Sequence, residues 1–346
     1  MWMYWALFCA PALATLSPTR LDAKSRAILV AVVGITLTVV IGLRDHVGAD
    51  WSGYSSLFDQ DYLLPLNELI FRREPGFGLF NWISARFGWD VYGVNFVSAA
   101  IFVSGLLAFC RRQPNFWLTL ALATPVLIVQ VAMGAMRESI AIGILLFGFN
   151  AFIDRRPIRY VLWVLLASCF HTSALLLLSL APFSKWSLTN ISSIVFALVF
   201  FAAGAYFVSQ VPDYQIETYT ALNPAATGAL PRFIFTFTAT TIFLFLRVRW
   251  NHLYDDGRLF LVLSIGSVIL APFVFPFPAA VDRLAQYLLP LQIAVFARLP
   301  LFLKGRLKSL APIMILLLYG GAYVAWLNFS WIAKLAWLPY RSLIWG

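Results

Sequence analysis

Charge is what this chain has least of. Asp, Glu, Lys and Arg make up 12% of its 346 residues, about half the share of an ordinary soluble domain, and that excludes a conventional water-soluble enzyme. Histidine and cysteine are scarce too, with three of each. Cys9, Cys110 and Cys169 lie in or beside apolar runs at unrelated spacings, so neither a disulfide framework nor a metal knuckle follows. No Ser-His-Asp, P-loop or zinc-protease spacing occurs. With 61% hydrophobic residues, disorder is excluded as well.

What is present is a series of apolar runs of membrane-span length, separated by short basic or polar loops. The formal charge of +10 therefore reads as membrane orientation rather than affinity for nucleic acid. The pattern predicts an all-α polytopic membrane protein, one integral membrane domain over residues 1–346. The runs are 2–16, 27–43, 91–109, 116–133, 137–153, 188–208, 231–247, 259–275, 284–299 and 309–328. The first ends in Ala-Leu-Ala, as a signal peptide would. However, no cation precedes it and Arg20, Lys24 and Arg26 follow, so it reads as an uncleaved helix with its N-terminus outside.

One segment breaks the alternation. Counted as one span, residues 159–183 would put Arg247, Arg249, Arg258, Arg298, Lys304, Arg306 and Lys308 outside, against the positive-inside rule. The conflict disappears if the segment enters and returns, turning near Phe170-His171-Thr172-Ser173. The expectation is ten transmembrane helices plus a re-entrant hairpin, with both termini outside. The inner side then carries 16 Lys and Arg against 4 carboxylates, and the outer side 9 against 11. Eight of those outer nine are arginine. The long outer loop, 44–90, mixes carboxylates, arginines and aromatic residues, which suits interfacial amphipathic segments.

The candidate chemistry lies on that outer side. Arg137, in Met-Gly-Ala-Met-Arg-Glu-Ser, begins an apolar helix, where its guanidinium adds to the helix's own positive end and free N–H groups. Such a place suits a diphosphate, which arginine binds with two parallel hydrogen bonds. The structural alternative is a simple pair with Glu138. Arg283 has the same placement one turn before Tyr287, with Asp282 as its bland partner, and Arg232 starts a third outer helix after Pro231. His171 is the one histidine within an apolar run and marks the predicted turn, as proton acceptor or as ligand to a sugar hydroxyl or phosphate. Acidic candidates sit in the outer loop: Asp50 in Gly42-Leu43-Arg44-Asp45-His46-Val47-Gly48-Ala49-Asp50-Trp51, and Glu74 in Arg72-Arg73-Glu74-Pro75-Gly76-Phe77. Either can act as general base or can fix an arginine fork. Asp59-Gln60-Asp61 is too short and common to assign a metal.

Taken in order, these motifs resemble the EpsG family. They are Gly-Leu-Arg, Val-Gly-Ala-Asp-Trp with Tyr54, Glu-Pro-Gly-Phe, Arg137-Glu138, Phe-His-Thr-Ser-Ala-Leu, Asp-Arg with Tyr287, and the ending Pro339-Tyr340-Arg341-Ser342. The resemblance covers nearly the whole chain. It implies a Wzy-like polysaccharide polymerase of exopolysaccharide, capsule or O-antigen pathways, a GT-C-like glycosyltransferase of the bacterial inner membrane with its site and both termini periplasmic. The substrate would be an oligosaccharide repeat unit on undecaprenyl diphosphate, and a chain-length regulator of the same pathway is a candidate partner. No cofactor is implied, because the sugar–diphosphate bond already holds the energy. Matched residues are Arg44, Asp50, Tyr54, Glu74, Arg137, His171, Arg283 and Tyr340. Asp50, Glu74 and His171 are the candidate catalytic groups. Arg44, Tyr54, Arg137, Arg232, Arg283, Tyr287, Tyr340 and Arg341 are the candidate substrate contacts. Trp51 and Arg341 stand where the family pattern is expected to vary.

Two other classes share an arginine-lined membrane architecture. A lipid-linked oligosaccharide flippase would carry polar residues through the full membrane depth, whereas the inner halves of these spans are nearly free of charge. A membrane acyltransferase acting on sugar hydroxyls takes its donor from the cytoplasm and needs a pore that the sequence does not show.

Overall fold

The computed structural model describes residues 1–18, 22–71, 74–187, 189–209 and 228–344. Arg20, Arg72, Arg73 and most of the outer loop 209–231 lie outside the described residues. Within them the chain is helical throughout, with one isolated β-bridge, Arg44 to Ser342. Six of the expected spans fall in helices long and apolar enough to cross a membrane: Ala23–Gly42, Asp90–Arg111, Met136–Ile153, Ala229–Leu253, Pro278–Phe302 and Gly305–Phe329. The other four expected runs form shorter apolar helices, Trp2–Leu16, Phe116–Ala132, Ile191–Tyr206 and Gly257–Phe273. The protein is therefore an all-helical, polytopic membrane protein.

Packing divides it into two compact units, the first comprising Met1–Leu146, Cys169–His171 and Leu303–Gly346. This unit holds α1 (Trp2–Leu16), α2 (Ala23–Gly42), α3 (Trp51–Tyr62), α4 (Leu66–Ile70), α5 (Pro75–Phe87) and α6 (Asp90–Arg111). It continues with α7 (Phe116–Ala123), which runs on into π turns over Thr124–Ala132, and the start of α8 (Met136–Ile153). The three short helices α3 to α5 are what the outer segment 44–90 becomes. Pro75 opens α5, because its fixed φ suits a first helical position that needs no N–H donor, and Gly88 ends it in the left-handed conformation at φ 66°.

Small residues let the long helices approach. A Cβ on Gly105 of α6 would overlap the backbone carbonyl of Gly143 in α8, the close small-residue crossing that membrane helices use in place of a hydrophobic drive.

The second unit comprises Phe147–Ser168 and Thr172–Phe302. It contains the end of α8, α9 (Pro157–Ser168), a 3₁₀ arm (Thr172–Ser184) and α10 (Ile191–Ser209). After these come α11 (Ala229–Leu253), α12 (Gly257–Leu270), α13 (Pro278–Ala285) and α14 (Leu289–Phe302). The break required by the charge pattern is present: α9 stops at Ser168, and Cys169–His171 is not helical. The two arms run back along one another, since the Tyr160 hydroxyl near the start of α9 donates to the Leu177 carbonyl at 2.7 Å. That bond also satisfies a carbonyl of the 3₁₀ arm away from water.

The chain returns to the first unit with α15 (Gly305–Phe329), α16 (Trp331–Ala336) and a tail. The tail is stitched to the loop after α2 by Asp45 N–H to Arg341 O at 3.0 Å, Gly48 N–H to Ala336 O at 2.7 Å and Leu343 N–H to Leu43 O at 2.9 Å.

Candidate active site

Three segments of the first unit meet around Glu74. The residue sits at the N-cap of α5, where the helix's positive end favours a carboxylate. The next glycine explains how α5 reaches the turn at 169–171: Gly76 N–H donates to Cys169 O at 2.9 Å, and a Cβ there would lie 2.9 Å from the Phe170 ring. Only glycine permits that approach without a shift. His171 follows immediately and lies beside Glu74. The third segment is the first turn of α8, which supplies Arg137 and Glu138.

The side chains form a continuous charged chain. Arg137 Nη1 donates to Glu74 Oε2 at 2.6 Å. Glu74 Oε1 lies 3.1 Å from His171 Nδ1, and His171 Nε2 lies 3.3 Å from Glu138 Oε1. A carboxylate only accepts hydrogen bonds, so an imidazole with one at each nitrogen is satisfied in its doubly protonated, cationic form. Among the described residues, two cations then face two carboxylates. Glu74, Glu138 and His171 are nearly enclosed, with 13%, 6% and 16% of their side chains exposed, whereas Arg137 keeps 34% exposed. Its Nε is buried without a hydrogen-bond partner among the described residues.

Tyr54 completes the group from α3. Its hydroxyl accepts the Arg137 backbone N–H at 3.2 Å, and its ring lies 5.7 Å from the guanidinium carbon, with Phe77 at 6.0 Å. Burial pushes the Tyr54 phenol up to about 12, so it stays a neutral hydroxyl. Asp50 is at the N-cap of α3, and its charge acts on that phenol.

The remaining predicted residues go elsewhere. Arg44 is 2% exposed and gives Nε to Val47 O at 3.1 Å and Nη1 to Ile41 O at 2.5 Å, with Trp51 5.7 Å away. Tyr340 donates to Val40 O at 2.7 Å, while Arg341 leaves its side chain exposed and uses its carbonyl. These three hold the loop and the tail together. In the second unit, Arg232 forks onto Asp282 with bonds of 2.8 and 2.6 Å. The Tyr287 hydroxyl lies 2.8 Å from Ser173 Oγ. Arg283, expected at a helix start, stands instead in the last turn of α13, because that helix already begins at Pro278. Asp61 is buried against Asn81 at 2.7 Å while Asp59 faces out, and no group of three metal-ligating residues occurs among the described residues.

Glu138 entered the sequence analysis only as the alternative partner of Arg137. Its mate is His171, and Arg137 takes Glu74, 63 residues away. The available signal was the cost of a carboxylate at the start of an apolar helix, which demands a cationic partner.

A helical membrane protein with an ion-paired Arg–Glu–His–Glu group at the starts of two helices is the class that this fold and site define. The EpsG family model matches residues 27–342, and the chain belongs to that family. Membership makes it a membrane protein of the polysaccharide-polymerase type, glycosyltransferase-like in activity. No curated protein matches the chain, nor does any solved structure.

Proposed function

We propose that this protein joins oligosaccharide repeat units carried on undecaprenyl diphosphate, at the periplasmic face of a bacterial inner membrane. The observation that carries the proposal is the asymmetry of Arg137: one nitrogen is fixed by Glu74 while a third of the side chain stays open. A guanidinium held at one edge and open at the other can take a diphosphate oxygen without losing its orientation. The first turn of α8 adds the helix's positive end to that position.

Glu74 serves as the general base. When it takes the proton of the incoming sugar hydroxyl, the group changes from two cations against two carboxylates to two cations against one. The net positive charge appears as the anomeric C–O bond breaks and negative charge develops on the departing diphosphate. The charge of Arg137, no longer offset by Glu74, then acts in full on the leaving group. Fixed charge aimed at developing charge is the largest common source of transition-state stabilisation. His171, clasped by Glu138, keeps Glu74 in place and supplies the second cation. Direct displacement inverts the anomeric configuration. Asp50 with Tyr54 orders the acceptor side.

The test is incubation of the purified protein with lipid-linked repeat units and no nucleotide. A ladder of products is expected. Its absence with active substrate, or normal polymer length in cells carrying Arg137→Ala, would overturn the assignment.

A further inference from the structure

We infer that the C-terminal segment Ala336–Leu343 sets the placement of Tyr54 against Arg137, with Trp337 as a positioning residue. The activity arm of this inference rests on the polymerase reading; the geometric arm does not.

Three segments of the first unit meet at one joint. Trp337 is 5% exposed, and its indole N–H donates to Val129 O at 2.9 Å. Val129 lies within the π turns of α7. The wider π winding disturbs the regular i to i−4 ladder, so an outside donor at one of its carbonyls stabilises that local geometry. The ring of the same Trp337 lies against Gly134, where a Cβ would be 2.9 Å from Cζ2. Gly134 is three residues before Arg137.

The preceding residue holds the other branch. Ala336 O accepts Gly48 N–H at 2.7 Å. Gly48 has φ +113°, and a Cβ there would land on the Met133 carbonyl oxygen. Both constraints require glycine. Gly48 is two residues before Asp50 and six before Tyr54. The loop leading to Tyr54, the turn leading to Arg137 and the C-terminal tail therefore touch at one point. The Arg137 N–H bond to Tyr54 closes the circuit on the other side.

The tail is itself anchored. Tyr4 donates to Trp337 O at 2.5 Å, Tyr340 donates to Val40 O, and Trp326 packs edge-on against the Trp337 ring at 5.3 Å. Moving Trp337 moves both branches together, because the tail bonds to each. A residue some 200 positions from Arg137 thus governs an interaction between two residues that it does not touch.

The test compares Trp337→Phe, which keeps a ring but loses the indole donor, with Trp331→Phe, a change at an exposed tryptophan on α16. Amide exchange in nanodiscs should rise over both 48–55 and 133–138 in Trp337→Phe, with 257–270 as the unchanged reference. In the ladder assay, KM for the lipid-linked donor should rise roughly tenfold, the scale of one carbonyl left without its partner. A folding defect would instead lower the amount of active protein and leave KM alone. Trp331→Phe should match the parent in both assays. Unchanged exchange at 133–138, or a lower rate with unchanged KM, overturns the positioning role. If the parent protein makes no ladder the polymerase reading fails, and the exchange pattern alone then decides the role of the tail.

Discussion

Arg137 and Arg298 both face carboxylates at short distance, and their surroundings differ. Arg298, in the second unit, is 1% exposed. Its two terminal nitrogens meet the two oxygens of Asp256 at 2.9 and 2.6 Å, and Trp250 Nε1 donates to the same carboxylate at 2.8 Å. The Trp250 and Tyr254 rings lie 4.8 and 4.2 Å from its guanidinium carbon. Arg137, in the first unit, gives one nitrogen to Glu74 and leaves a third of its side chain open. The closed pair ties α11, α12 and α14 together and has no face for a ligand. The open pair has one. Burial and hydrogen-bond completeness, rather than residue type, separate a structural ion pair from a reactive one.

The comparison predicts its own tests. Arg298→Ala leaves Asp256 buried without its cation and should cost about 3–5 kcal/mol, read as a fall in thermal unfolding temperature and in yield of folded protein. A loss no greater than that of Arg137→Ala would break the distinction. Arg137→Ala should instead lower the ladder rate about a hundredfold, roughly 3 kcal/mol, with little change in melting. Arg137→Lys should remain well below the parent, because a point charge does not replace the fork.

Smaller effects sharpen the boundary of the site. Glu138→Gln leaves His171 facing a neutral amide, a loss of about 1.5–3 kcal/mol for a hydrogen bond to a charged group, and should appear in ladder rate more than in stability. Tyr340→Phe removes the bond to Val40 O and should cost about 1 kcal/mol, in melting temperature with KM unchanged. Arg341→Ala should stay within about 0.5 kcal/mol, since its carbonyl makes the contact to Asp45. A large effect on KM there would restore Arg341 to the substrate contacts.

Much of this was legible in the chain. Charge parity alone required a break in 159–183, and the helix stops at Ser168 with His171 in the gap. Arg137 was visible as a charge at a costly helix start, Glu74 as a carboxylate in a polar knot of the outer loop and His171 as the histidine at the expected turn. Their connection was not, because the pairing of Arg137 with Glu74 spans 63 residues and no local rule reaches that far. Neighbours in sequence proved misleading partners: Asp282 serves Arg232 across 50 residues, and Glu138 serves His171. The π turns of 124–132 carry no signal beyond Pro125, since their geometry is held by the tail.

The sequence by itself determined that this is a helical membrane protein, that the segment 159–183 is interrupted and that Arg137 stands at a helix start. Those properties follow from hydropathy, helix length and the cost of a charge beside lipid, all of which act along the chain. Only the tertiary structure decided which charge meets which, which arginine is closed and which is open, and that Arg44 and Tyr340 hold a loop. Those outcomes depend on distances between segments far apart in sequence, and a guanidinium's role is set by how many of its donors the surrounding fold has already satisfied.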